Sequence, residues 1–150
     1  MNGEERCICN RQKELYEFAQ MKHADIRTFS NDFLKSSFCN NSLDKPYSVD
    51  QFADIVNWLE FLEQEGCEIR PESSQTVTVS REAAGWIGFT YRQLHFVSGL
   101  NSRDLADQVP ADRLLLAYPG LHTVDEDMAA EIIIHDFNLK GEQNKKVHKR

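Results

Sequence analysis

The sequence predicts a mainly α-helical fold, in which six to seven helices surround one core together with a small two-stranded β-hairpin. Three features predict this class. Apolar residues recur at intervals of three and four along most of the chain, residues that begin or end helices separate these segments, and in one short region the period falls to two. A length of 150 residues suits a single core. We therefore expect residues 1–139 to form one globular helical domain.

The first third of the chain contains two apolar segments, which predict two helices or one bent helix. In residues 11–24, apolar residues including Leu15 and Phe18 lie near one helical face. Asp25 belongs to the residue types that cap helices, and it precedes the second apolar segment. Pro46 then closes a polar connection, because proline cannot continue a helix interior.

A further helix is predicted to begin at Ser48. The Ser48 side chain can accept a hydrogen bond from the Gln51 amide while the Gln51 side chain reaches back, and Tyr47 can pack on Phe52 across the cap. Gly66 supplies the left-handed residue that commonly ends a helix. The expected buried face comprises apolar residues spaced three and four apart, namely Phe52, Ile55, Val56, Leu59 and Leu62.

The region after Gly66 has a two-residue period. Cys67 and Ile69 alternate with polar residues, and a similar alternation follows in residues 76–79. Residues 71–74 have the composition of a turn. This pattern predicts the β-hairpin.

A long helix is predicted between Ser80, which can cap its first turn, and Gly99, which can end it. Ala84 and Gly88 lie four residues apart and leave a shallow strip on which another helix can pack closely. Close packing would compensate for the helix stability that a glycine costs, about 0.5–1 kcal/mol relative to alanine.

Three shorter helices complete the predicted fold. Ser102 opens the first, which Pro110 ends, and residues 111–118 form the second, which a Pro-Gly pair closes. Thr123 and Glu126 have the spacing of a second capping box, so the last helix is expected to begin at Thr123.

The formal charge of −7 at pH 7 is unevenly distributed. Residues 140–150 contain five basic residues and one acid, a net charge of +4, so residues 1–139 carry −11. Such a body repels phosphate backbones, and nucleic-acid binding through it is therefore disfavoured. We expect the basic segment to be a disordered tail, which can still contact anions.

The chain has no apolar run near the roughly 18 residues that a membrane-spanning helix needs. Residues 1–14 also lack the pattern of a signal peptide. We therefore expect a cytoplasmic protein with no membrane partner, whose four cysteines are reduced thiols. Cys7 and Cys9 do not have the usual spacing of a structural zinc site, and we expect neither a metal nor a cofactor.

Two places contain residues that can carry chemistry, although the common nucleotide-binding and hydrolase motifs are absent from the sequence. Tyr91 and Arg92 can both neighbour His95, because they precede it by four and three residues on one helix. His122 and Thr123 lie at the expected start of the last helix, where free amides attract anions. If the two places meet, they form a pocket for a phosphate or carboxylate, and two histidines with an arginine can cleave a phosphodiester.

The same residues also have simpler interpretations. A histidine between Leu94 and Phe96, as His95 is, is more often a partly buried core residue. His122 can pack beside the Leu121 side chain. Whether the two places converge in the fold decides between these interpretations.

An aromatic-Arg-x-x-His-Phe tract occurs as YRQLHF at residues 91–96, and a Gly-x-His-Thr segment occurs as GLHT at residues 120–123. Through these motifs, residues 84–134 resemble a group of small bacterial proteins of Gram-positive type. The group has no function that the resemblance can transfer. The resemblance implies a bacterial protein, and similar small acidic proteins are frequent among antitoxins, immunity proteins and phage-encoded inhibitors.

The sequence therefore favours a non-enzymatic interaction protein, antitoxin-like or inhibitor-like, that binds a basic surface of a partner protein. Trp58 and Tyr118 are the expected exposed anchors of that contact. The alternative is a small phosphodiesterase-like or nucleotide-binding enzyme that uses Arg92, His95 and His122.

Overall fold

The computed structural model describes residues 1–71 and 78–139. In these two ranges the chain is mainly helical, as predicted. The seven α-helices are α1 (Gly3–Met21), α2 (Ile26–Leu34), α3 (Ile55–Gln64), α4 (Arg81–Ser98), α5 (Ser102–Gln108), α6 (Ala111–Leu121) and α7 (Glu126–Asp136). A short π-helix (Cys39–Leu43) and a turn of 3-10 helix (Val49–Phe52) lie between α2 and α3.

The central helix is α4, which packs against α1, α5, α6 and α7. Buried residues such as Ile87 and Leu94 occur on all of its sides. Ser80 Oγ accepts a hydrogen bond from the Ala83 amide at 3.1 Å, and Gly99 ends the helix with φ +80°. The predicted start and end of this helix are thus confirmed.

Helices α1 and α4 approach closely because two contact positions on α4 have no side chain. A Cβ atom built on Gly88 would lie 2.7 Å from the carbonyl oxygen of Gln12 and 2.7 Å from Cγ of Tyr16. A Cβ atom on Gly85 would lie 2.9 Å from Cγ of Glu17. The close packing predicted at Gly88 is therefore confirmed, with Gly85 rather than Ala84 as the second close contact, and these two positions determine how near the helices come.

Tyr16 also joins α1 to α2. Its ring meets the rings of Phe29 and Phe33 edge-on, with centroids 5.2 and 5.8 Å apart. Its hydroxyl lies 2.8 Å from Ser30 Oγ, so the buried phenol is hydrogen-bonded. Helix α1 is consequently packed against α2 through aromatic rings on one side and against α4 on another.

The start of α3 differs from its prediction. Ser48 makes no side-chain capping bond, and Asp54 caps the helix by accepting a hydrogen bond from the Asn57 amide at 3.0 Å. The Gln51 side chain is committed elsewhere, because its amide donates to two carbonyl groups of the preceding turn at 3.0 and 2.8 Å. The capping box expected at Ser48 is therefore not formed.

The buried face of α3 is centred on Trp58. This side chain is fully buried, and its Nε1 donates to the carbonyl oxygen of Asp50 at 2.9 Å. Leu62 is buried on the same face, whereas Phe52 and Val56 are exposed. The prediction of Trp58 as an exposed anchor is wrong, because the indole fills the core and its N–H has a partner within the protein.

The predicted β-hairpin is also wrong, since the described ranges contain no strand. Cys67 and Ile69 pack against the helical core, and Val79 is buried. The carbonyl oxygen of Val79 accepts a hydrogen bond from the Gln20 side chain at 3.2 Å, so a helix side chain takes the place of a strand partner. Residues 72–77, which include the rest of the predicted hairpin, lie outside the described residues.

Other helix boundaries follow side-chain caps. Asp25 caps α2, as predicted, and accepts a hydrogen bond from the Arg27 amide at 3.2 Å. Asp125 caps α7 and accepts one from the Asp127 amide at 3.1 Å, so this helix begins two residues later than predicted. Pro119 lies inside α6 and does not close it.

The predicted basic tail, residues 140–150, lies outside the described residues. In the part of the chain that is described, the hydrophobic core includes residues from Ile8 to Leu139. No helix in that part is long and apolar enough to cross a membrane.

These capping contacts predict unequal effects for two serine substitutions. We expect Ser80→Ala to lower the free energy of unfolding by about 0.5–2 kcal/mol, because the Ala83 amide loses its acceptor. Ser48→Ala should cost less than about 0.5 kcal/mol, since its hydroxyl caps nothing. Urea unfolding of both variants measures the difference, and equal losses would contradict the observed caps.

Candidate binding surface

Arg92, one of the predicted site residues, is fully buried in the middle of α4. Its Nε donates to Gln12 Oε1 at 2.7 Å and its Nη1 donates to Asp44 Oδ1 at 2.8 Å. Its Nη2 donates to Ser102 Oγ at 3.0 Å and contacts Cys39 Sγ at 3.5 Å. Each guanidinium nitrogen is therefore committed to a partner inside the protein, and none faces solvent.

Asp44 is the anionic partner in this buried network. One of its oxygens accepts a hydrogen bond from the Ser102 amide at 2.9 Å, and the other accepts from the Ser102 hydroxyl at 2.6 Å. Burial alone would raise the pKa of Asp44, but the Arg92 guanidinium and the Ser102 donors outweigh it and hold that pKa below its ordinary value. The network is thus an ion pair that joins α4 to the π-helix and to α5, rather than a site for an external anion.

Two other predicted residues on α4 also have partners within the protein. The Tyr91 hydroxyl donates to the carbonyl oxygen of Val109. His95 Nδ1 lies 2.7 Å from the carbonyl oxygen of Leu100 and 3.7 Å from Asp44 Oδ1. Burial lowers the pKa of His95, and the nearby arginine lowers it further, so this imidazole is neutral near pH 7.

His122 and Thr123 lie at the end of α6 and not at the start of α7. His122 Nδ1 is 2.7 Å from the carbonyl oxygen of Tyr118, and the two rings stack with centroids 4.3 Å apart. The Thr123 hydroxyl donates to the carbonyl oxygen of Gly120 at 3.1 Å. The first amide after Thr123, that of Val124, donates to the carbonyl oxygen of Leu121 at 3.2 Å, and the amides of Asp127 and Met128 donate to Asp125, so these amides are not free to bind an anion.

The predicted site residues do not converge on one cavity. His95 lines a cavity of about 170 Å³ together with Ile8 on α1. His122 lines a different cleft of about 340 Å³ together with Lys13, which lies on another face of α1. Arg92 lines neither space. The arrangement required by the enzymatic alternative is absent.

A surface that the sequence did not indicate lies beside the His95 cavity. From the end of the π-helix to the first turn of α3, four apolar side chains are exposed, with relative exposures of 90% for Tyr47, 85% for Val49, 52% for Phe52 and 58% for Val56. We call these four residues the Tyr47 surface. Tyr47 has φ +62°, a backbone conformation that is uncommon for a residue with a bulky side chain.

Neighbouring contacts hold this segment in place. The Gln51 side chain fixes the turn before it, and Trp58 anchors the 3-10 helix through Asp50. With Trp58 in the core, helical spacing puts Val56 toward solvent. The position of Trp58 in the sequence could have indicated this surface. If the buried face of the helix is centred on Trp58, Phe52 and Val56 do not belong to that face and are exposed.

The adjoining cavity contains acidic groups. Glu4 and Glu5 line it beside Tyr47 and Phe52, and so does Asp44, whose charge is paired with Arg92. Lysine and arginine are absent from the described residues that line it. The Tyr47 surface therefore adjoins a region of negative charge.

Comparison of the chain with protein-family models, with curated proteins and with solved structures gives no match. The resemblance of residues 84–134 to small bacterial proteins therefore stays a prediction. The chemistry of the surface has to be inferred from its own residues.

Proposed function

We propose that this chain is a non-enzymatic interaction protein that binds a basic surface of a partner protein through the Tyr47 surface. The observation that carries the proposal is the exposure of four apolar side chains within ten residues of sequence, beside a cavity lined by carboxylates. An antitoxin-like or inhibitor-like role belongs to this proposal, as does action in the cytoplasm of a bacterial cell.

The apolar side chains would supply the affinity of the contact. Exposed apolar patches on soluble proteins commonly mark interaction sites. Covering a large apolar side chain contributes about 1.5–3 kcal/mol, and tyrosine is among the residues that dominate interface energetics. The backbone conformation of Tyr47 supports the same interpretation, because strained residues concentrate at functional sites.

The charge of the body would guide the partner. Residues 1–139 carry a formal charge of −11, and a field of that sign attracts basic partners. The carboxylates of Glu4 and Glu5 extend this field to the edge of the Tyr47 surface. Charge complementarity of this kind raises the association rate more than it lowers the dissociation rate.

The enzymatic alternative has no comparable support. Arg92 is fully buried and each of its guanidinium nitrogens has a partner inside the protein, and His95 and His122 line separate cavities. Acid-base cleavage requires these groups within reach of one substrate.

We expect Phe52→Ser to weaken partner binding by at least tenfold, since it removes an apolar side chain of the surface that also lines the adjoining cavity. Leu116→Ser is the matched control, because Leu116 is an exposed apolar residue on α6. The protein captured from cells by the wild-type chain is identified, purified and measured by surface plasmon resonance against both variants.

The same binding measurement at two salt concentrations tests whether charge attraction guides the partner to this protein. Raising salt from 50 to 500 mM should lower the association rate by about tenfold, because exposed charges are screened within a few ångströms at high ionic strength. The proposal fails if the captured protein binds Phe52→Ser as tightly as wild type, or if it is acidic and its association rate does not depend on salt.

A further inference from the structure

We infer that the cleft lined by Trp86 is a second binding site, which takes a small organic amine with an aromatic body. The cleft lies between α1, α4 and the α6–α7 junction, and we call it the Trp86 cleft. The residues used below are Glu17, Glu82, Trp86, Phe89, Thr90 and His122. Its volume of about 340 Å³ is within the range of small-molecule sites.

Aromatic rings form one wall of the Trp86 cleft. Trp86 is half-buried, and its ring meets Tyr118 edge-on with centroids 5.6 Å apart. Tyr118 in turn stacks on His122, and Phe89, which also lines the cleft, is buried. This chain of ring contacts fixes the Trp86 indole against the cleft, where it can cover the flat part of a ligand.

One carboxylate of the cleft, that of Glu82, is available to a cation. Three carboxylates line it, those of Glu17, Glu82 and Glu126, and they face one ammonium group, that of Lys13. Glu126 is paired with Arg6 at 2.8 Å, and Glu17 lies 3.9 Å from the Nε atom of an arginine at the start of α4. Glu82 has no ion pair among the described residues. A carboxylate beside a tryptophan ring is a combination that binds ammonium groups.

A buried hydroxyl supplies an independent observation. The Thr90 side chain lines the cleft at 3% exposure, and its hydroxyl has no hydrogen-bond partner among the described residues. In that part of the chain, Gln12 Nε2 is the one fully enclosed side-chain nitrogen or oxygen without a partner. The Thr90 hydroxyl is therefore open to the cleft, where it can accept a hydrogen bond from a ligand N–H.

The Trp86 cleft is separate from the Tyr47 surface. The cleft uses Lys13 and Glu17 of α1, whereas the His95 cavity uses Glu4 and Ile8 of the same helix. Helical spacing places these two pairs on different faces of α1. The inference therefore goes beyond the proposed function, and either can fail without the other.

The two tryptophans make the test internally controlled. Phenethylamine is titrated into the full-length, ¹⁵N-labelled protein, and the two indole N–H signals are followed by NMR. We expect the Trp86 signal to shift in a saturable way, whereas the Trp58 signal stays fixed because its indole is buried and donates to Asp50. 2-Phenylethanol and ethylamine should each bind at least tenfold more weakly, since one lacks the charge and the other lacks the ring.

Two substitutions test the assigned partners. Glu82→Gln and Thr90→Val should each weaken phenethylamine binding, the first on the order of tenfold because a charge-assisted contact is lost. Glu131→Gln, which removes an exposed carboxylate outside the cleft, should leave binding unchanged. An unchanged Trp58 signal shows that each variant is folded. If Thr90→Val does not fold, Glu82→Gln alone tests the inference. Equal binding of the alcohol, or wild-type binding by Glu82→Gln, overturns the inference.

Discussion

Replacing Arg92 by methionine is expected to lower the free energy of unfolding at pH 7 by about 3–5 kcal/mol. The substitution removes the cation from a network in which the Asp44 carboxylate is largely buried. The carboxylate is then left as an uncompensated buried charge, and the loss of one partner of a buried ion pair has a cost of this size. Guanidinium chloride unfolding, followed by circular dichroism, measures it.

The pH dependence of this loss has a definite sign. The pKa of Asp44 is lowered in the folded protein, so its ionised form stabilises the fold above the unfolded pKa of about 3.9. That stabilisation is lost as pH falls through the folded pKa. In Arg92→Met, the cation no longer opposes the effect of burial on the pKa of Asp44, so this pKa is higher than in the wild type. Protonation of Asp44 then removes the unpaired buried charge and stabilises the variant. The difference in stability between wild type and variant should therefore narrow as pH falls, beginning at the pKa of Asp44 in the variant and ending at its lower pKa in the wild type.

Two further variants complete the test. Adding Asp44→Asn to Arg92→Met removes the unpaired charge, so the double variant should regain part of the lost stability. Arg27→Met removes a partly exposed cation that lies 3.4 Å from both Asp25 and Asp112, and it should cost no more than about 1 kcal/mol. A loss for Arg92→Met as small as that for Arg27→Met would show that the buried network contributes little.

Gly88→Ala is expected to lower the free energy of unfolding by about 2 kcal/mol, although alanine favours a helix over glycine by about 1 kcal/mol. Its Cβ would lie 2.7 Å from the carbonyl oxygen of Gln12, which is backbone and cannot rotate away. Helix α1 would have to move from α4, and the contacts of Tyr16 would loosen. Thermal and urea unfolding measure the loss.

Gly120→Ala is the matched control, because Gly120 also lies in a helix but a Cβ there meets nothing within 4 Å. Helix propensity alone then acts, and we expect this variant to be as stable as wild type or up to about 1 kcal/mol more stable. If both alanine variants gain stability, the close approach of α1 and α4 is not needed for folding.

The sequence predicts best those features that depend on neighbouring residues. The limits of α4 follow from Ser80 and Gly99, the end of α3 follows from Gly66 with φ +86°, and the start of α2 follows from Asp25. Each of these signals acts within one helical turn. The surrounding fold does not need to be known for them to be interpreted.

The start of α3 was mispredicted because two capping signals lie close together. Ser48 and Asp54 can each begin a helix, and the choice between them depends on where Gln51 and Trp58 find partners. Those partners lie in a turn whose position is set by tertiary packing. Local spacing alone therefore favoured the wrong cap. It also placed Phe52 and Val56 on the buried face, although Leu62 is buried there as predicted and Ile55 and Leu59 pack against the core.

The candidate residues on α4 show a second limit. Arg92 binds Gln12, 80 residues away, and Asp44, 48 residues away. The residues near Arg92 in the sequence do not distinguish an arginine in a buried ion pair from one that binds an external anion. His122 is likewise separated from His95 by the packing of α6, which the helix pattern does not specify.

The packing of α1 on α4 also bears on synthesis of the chain. Ribosomes release α1 first, yet its closest partner, residues 81–98, is translated about sixty residues later. During that interval the nascent chain can pair α1 with α2, whereas the face opposite Gly85 and Gly88 stays uncovered. Contacts of such long sequence separation form late and leave apolar groups open to chaperones. The first half of this protein therefore completes its folding only when α4 has emerged.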